Sequence, residues 1–106
     1  MDLSNIMQQA KAMQEKMAKI QQDLAKKSIT GTAGGGMVTV TVNGQGDVLS
    51  MGIEKAVIDP EEAEMLQDLI VAATNDALRR AKELSKQELG QLTGGLNLPG
   101  LTNFMQ

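Results

Sequence analysis

The chain has 106 residues, a formal net charge of −3 and neither Cys nor His, which excludes disulfide stapling, thiol chemistry and imidazole-based catalysis or metal binding. Its one aromatic residue is Phe104, so a small single-domain core must be built from Leu, Ile, Val, Ala and eight Met, with part of that apolar surface meeting a second copy. No run approaches the ~20 consecutive apolar residues of a membrane span. The opening Met1-Asp2-Leu3-Ser4-Asn5 carries an acid where a signal peptide has a basic leader. The expectation is a soluble cytoplasmic protein whose net charge gives no global attraction to nucleic acid, so any such binding depends on where its cations sit.

Leu3, Ile6, Ala10, Met13, Met17, Ile20 and Leu24 follow one another at alternating steps of three and four, the a/d rhythm of a heptad. No Gly or Pro interrupts residues 2–27, and Ala, Gln, Lys, Glu and Met favour helix throughout. The expected rod, roughly 35 Å long, exceeds what a domain of this size needs to cover its own core. A partner helix is the simplest way to bury the seam, which makes Leu3, Ile6, Met13, Met17 and Ile20 candidate dimerisation residues. Lys11, Lys19 and Lys26 fall on the outer b and c positions, with Glu15 the only acid among b, c and f, while Lys16 occupies a g position beside the seam. A solvated coiled-coil exterior explains this positive stripe as well as DNA contact does.

From Ser28 the period changes to two. Val38, Val40 and Val42 alternate with Thr39, Thr41 and Asn43, a strand with one buried and one wet face. Asn43-Gly44-Gln45-Gly46-Asp47 then predicts a hairpin, and the return strand sets Leu49, Met51 and Ile53 on one face. Ile29 to Ala33 adds a third strand, joined through Gly34-Gly35-Gly36. The glycine stretch from Gly31 to Gly36 invites a phosphate-loop reading, but it lacks the Gly-Lys-Ser/Thr ending and leads into a strand rather than a helix. A hairpin turn is the better explanation.

Asp59-Pro60-Glu61-Glu62 opens a second helix, with Asp as N-cap, Pro at the first position and Glu at the capping-box position. Leu66, Leu69, Ile70, Ala73, Ala77, Ala81 and Leu84 form one stripe expected to cover the sheet, its alanines permitting close approach and leaving the first helix to project. The helix is expected to end near Gly90, giving a single domain over residues 1–90 and a loose Gly/Pro-containing tail over 91–106, with Leu96, Leu98, Leu101 and Phe104 able to dock locally. Glu54, Asp59, Glu61, Glu62, Glu64 and Asp68 cluster where the helix dipole favours negative charge, which accounts for them without a metal or an acid–base pair. Arg79, Arg80, Lys82 and Lys86 mirror them near the other end, where the dipole favours cations. A phosphate-binding patch is the functional alternative.

Several segments together resemble the YbaB/EbfC family of bacterial nucleoid-associated proteins. They are Asn5-Ile6-Met7-Gln8-Gln9-Ala10 with Met13-Gln14-Glu15-Lys16-Met17, then Gly31, Gly34 and Gly36 before Val38-Thr39-Val40-Thr41-Val42-Asn43-Gly44. Ile58-Asp59-Pro60, Leu66-Gln67-Asp68-Leu69, Ala72-Ala73-Thr74-Asn75-Asp76-Ala77 and Leu98-Pro99-Gly100 complete the order. The resemblance implies an α+β fold with a long N-terminal helix, a three-stranded antiparallel meander and a C-terminal helix, paired as a tweezer-like homodimer. It implies binding of double-stranded DNA in the nucleoid with limited sequence preference and effects on nucleoid organisation and gene expression, without catalysis, cofactor, metal or small-molecule substrate. By position it points to Lys11, Lys16 and Lys19 on the first helix and Arg79, Arg80, Lys82 and Lys86 on the second as DNA contacts. A reading from another class is a protein-interaction module that grips a partner protein with the heptad seam and Met7, Met13 and Met17.

Overall fold

A computed structural model describes residues 2–94. The unbroken run of helix formers becomes α1 (Leu3–Lys26), 24 residues long, started by Asp2, whose side chain accepts from the Ser4 N–H at 3.2 Å and so satisfies one orphan donor of the first turn. Its heptad seam is not covered. Leu24 alone is buried, Met13 and Ile20 are half-buried, and Leu3, Ile6 and Met17 are 74%, 49% and 42% exposed. The chain on its own therefore leaves about 26 Å of helix, from Leu3 to Ile20, with its apolar stripe largely open to solvent.

Three strands follow, β1 (Ser28–Ala33), β2 (Val38–Asn43) and β3 (Val48–Ile53), in an antiparallel meander of order β1-β2-β3. Gly34, Gly35 and Gly36 adopt positive φ in the first turn, the conformation that excludes most side chains, so the glycine stretch is a hairpin connection. In the second turn the Asn43 side-chain oxygen accepts from the Gln45 and Asp47 N–H groups, both at 3.0 Å. A bulge between Thr41 and Val42 pairs Val42 with Val48 and Thr41 with Ser50, which leaves Leu49 as the extra residue. Leu49 therefore falls out of the regular alternation with Met51 and Ile53 expected from the sequence.

Asp59 caps the next element as expected, but the first turn, Pro60–Glu62, is a 3-10 turn and the Asp59 side chain accepts from Glu61 N–H at 3.0 Å rather than entering a capping box with Glu62. It runs directly into α2 (Ala63–Gly94), 32 residues long. Gly90 does not end this helix. A lone glycine costs a helix only about 1 kcal/mol, and Gly90 has no positive φ, so α2 continues to Gly94. The proposed docking of Leu96, Leu98, Leu101 and Phe104 lies outside the described residues.

The core is the contact between α2 and two of the three strands. Val38, Val40 and Val42 are wholly buried against Ala73, Ala77 and Ala81, with Ile29, Ala33, Ile53, Leu66, Leu69 and Ile70 around them. Gly31 sets the separation: a Cβ there would collide with the Ala77 backbone nitrogen and lie 2.5 Å from the Ala73 carbonyl oxygen. β3 is left largely bare, with Val48, Leu49 and Met51 between 44% and 55% exposed.

Candidate nucleic-acid interface

The root of α1 is tied to the far end of the sheet. The Leu24 carbonyl accepts from Gly44 N–H at 2.7 Å, the Gln45 side-chain amide donates to the Gln21 carbonyl at 3.0 Å, and a Cβ on Gly44 would meet Leu24. Lys27 just beyond α1 pairs with Glu88 of α2 at 2.8 Å. Both helices therefore emerge from the hairpin end of the sheet, and an open cleft of about 430 Å³ lies at their root, lined by Gln21, Gln45, Leu78, Lys82 and Ser85 with the turn glycines.

The seven cations expected at a DNA surface divide into three sets. Lys11, Lys16 and Lys19 are exposed along the projecting part of α1 and form no ion pair among the described residues. Arg79 and Arg80 are both drawn to Asp76, at 3.8 and 3.2 Å, so part of their charge is neutralised within the chain. Lys82 and Lys86 are exposed on α2 without an ion partner among the described residues, and Lys82 borders the cleft. No contact joins the α1 lysines to the α2 cations. The structure thus presents two separate basic stretches, one on each helix.

Asp76 was not singled out by the sequence, although its spacing to Arg79 and Arg80 is the ordinary i,i+3 and i,i+4 pairing. Its second bond was not legible: the Thr32 backbone N–H on β1 donates to its carboxylate at 3.0 Å. That bond, with the Arg80 hydrogen bond and the charges of Arg80 and Arg79, holds the Asp76 carboxyl below its ordinary value against the opposing effect of burial. Gln21, Gln45 and Ser85 at the cleft were likewise missed, because only the tertiary fold brings α1, the hairpin and α2 together. The acidic residues around Asp59 stay dispersed, and among the described residues no group of three or more carboxylates converges to hold a metal ion.

This arrangement of helix, meander and helix matches known proteins along nearly its whole length. The model of the YbaB/EbfC DNA-binding family covers residues 1–96. The chain belongs to this family. It is 71% identical to a nucleoid-associated protein of Desulfotalea psychrophila, over 99% of both chains, and 58% identical to one of Syntrophobacter fumaroxidans, over 92% of this chain and 88% of that one. An uncharacterized protein from Helicobacter pylori has a similar solved structure, with a TM-score of 0.79 at 25% identity, covering 88% of this chain and 98% of that one. The α+β architecture read from the YbaB/EbfC resemblance is therefore the architecture observed. No helix among the described residues is long and apolar enough to cross a membrane.

Proposed function

We propose that the chain binds duplex DNA in the nucleoid as a homodimer, through cations on both helices and without catalysing a reaction. Membership of the YbaB/EbfC DNA-binding family carries the reading, and the exposed cations Lys11, Lys16, Lys19, Lys82 and Lys86 give it a physical route. Their ammonium groups neutralise phosphates and release counterions, a sequence-independent contribution. No element is shaped as a groove-reading helix-turn-helix, so backbone contact and DNA shape dominate over base readout. Arg79 and Arg80 join them only as far as DNA phosphates compete with Asp76. The open seam through Leu3, Ile6, Met13, Met17 and Ile20 offers apolar surface for contact between copies.

The test is binding to two duplexes of unrelated sequence at low salt. Lys82→Ala with Lys86→Ala is expected to weaken both about equally, by roughly tenfold, since phosphate contacts carry no sequence information. A loss confined to one duplex would contradict backbone recognition, and a double variant that binds like the parent would remove these two lysines from the interface.

A further inference from the structure

The two edges of the sheet are finished differently. At β1 the edge lies beneath α2, and the outward Thr32 N–H is occupied by the Asp76 carboxylate. β3 has no such cover. Its sequence, Val-Leu-Ser-Met-Gly-Ile, carries no charge and no proline, whereas solitary edge strands are normally blunted by one or the other. The apolar surface here is also continuous. Met51 and Ile53 pair with Val40 and Val38, so they share the face on which α2 sits, yet Met51 is 44% exposed. On the flank of α2 turned toward this strand, Leu78 reaches Gly46 of the β2–β3 turn, and Val71, two helical turns earlier on the same face, is 59% exposed.

We propose that β3 is the two-fold contact of the dimer, pairing antiparallel with β3 of a second copy so that Met51 lies opposite its own counterpart. The inference deepens the dimer reading above and rests on it. An isologous contact requires a self-complementary surface, and this strand meets that condition. With the axis at Met51, Leu49 comes opposite Ile53 of the partner subunit, and Asp47 at one end of the strand comes beside Lys55 of the partner subunit at the other. Each apolar residue then meets an apolar one and the end charges are opposite, twice over. Backbone direction agrees. Glu54 N–H donates to the Met37 carbonyl, so alternation along the strand turns the N–H and C=O of Ile53 and Met51 outward to the open edge. The result is a continuous six-stranded sheet with Met51, Ile53, Val71 and Leu78 of both copies lining one central trough, and the seam of α1 becomes a secondary contact.

Because the chain has no Cys, single cysteines report proximity directly. Purified full-length Met51→Cys is expected to give a disulfide-linked dimer on mild oxidation, and Leu49→Cys mixed with Ile53→Cys to cross-link more than either alone. Ile6→Cys and Met13→Cys, on the seam, are expected to lag behind. Met51→Arg places like charges face to face and is expected to raise the dimer dissociation constant by about 100-fold in sedimentation, with far-ultraviolet circular dichroism unchanged. A stable dimer that cross-links through Ile6→Cys or Met13→Cys but not through Met51→Cys overturns the β3 contact and leaves the dimer standing. A parent chain that sediments as a monomer at every concentration overturns the dimer itself.

Discussion

Gly31 shows how much a single missing methyl group decides. The helix backbone of α2 lies against it so closely that Ala73 and Ala77 occupy the space a side chain would need, and backbone cannot give way as a flexible side chain does. Gly31→Ala is expected to cost about 2 kcal/mol as an overpacking change, seen as a thermal midpoint lower by roughly 10 °C. The sequence showed a glycine there but not its reason, because Gly31 reads as the start of a turn sequence and its partners lie more than forty positions away. Asp76 makes a second residue-scale prediction. Its folded-state value is lowered, so its contribution to stability is present above the ordinary carboxylate range and is lost as pH falls below about 4 through the lowered folded value. Thermal midpoints of the parent and Asp76→Asn are expected to differ at pH 7 and to converge on acidification below pH 4. A constant difference across that range would show that Asp76 acts through something other than its charge.

At the scale of elements, periodicity carried most of the information. The heptad of α1, the alternation of β2 and the alanine stripe of α2 each predicted both the element and its inward face. Capping chemistry placed the start of the second helix at Asp59. The end of that helix was misplaced because Gly90 is a weak stop: without a positive φ or a following proline it only lowers local helix stability. Nothing lies within 4 Å of the position a Gly90 Cβ would take. Gly90→Ala is accordingly expected to stabilise α2 by about 0.5–1 kcal/mol, with higher helicity and a raised melting midpoint in circular dichroism; a fall in either would place Gly90 at a bend or contact. The orientation of β3 was legible only in part, since a bulge shifts the alternation at Leu49 and no local pattern reveals that α2 covers two strands and not three. The same limit applies to the root of α1, where Leu24, Gly44 and Gln45 meet through tertiary contact alone. Leu24→Ala there is expected to cost about 3 kcal/mol, measured by chemical denaturation.

For the whole molecule, the fold and the family were legible in the sequence, whereas the working surface was legible only as a set of cations without an arrangement. The structure divides that set, with Lys11, Lys16 and Lys19 on a projecting arm, Lys82 and Lys86 exposed on α2, and Arg79 and Arg80 partly neutralised by Asp76. With a formal charge of −3 per chain, the dimer as a whole repels DNA and its affinity depends on these local stretches, which makes ionic strength the sensitive variable. The most direct test is the binding constant for a generic duplex measured across a salt series. If roughly six phosphates are neutralised per dimer, the logarithm of the constant falls with the logarithm of salt concentration at a slope near −5. Absence of binding at low salt, or a slope near zero, would contradict recognition through the phosphate backbone.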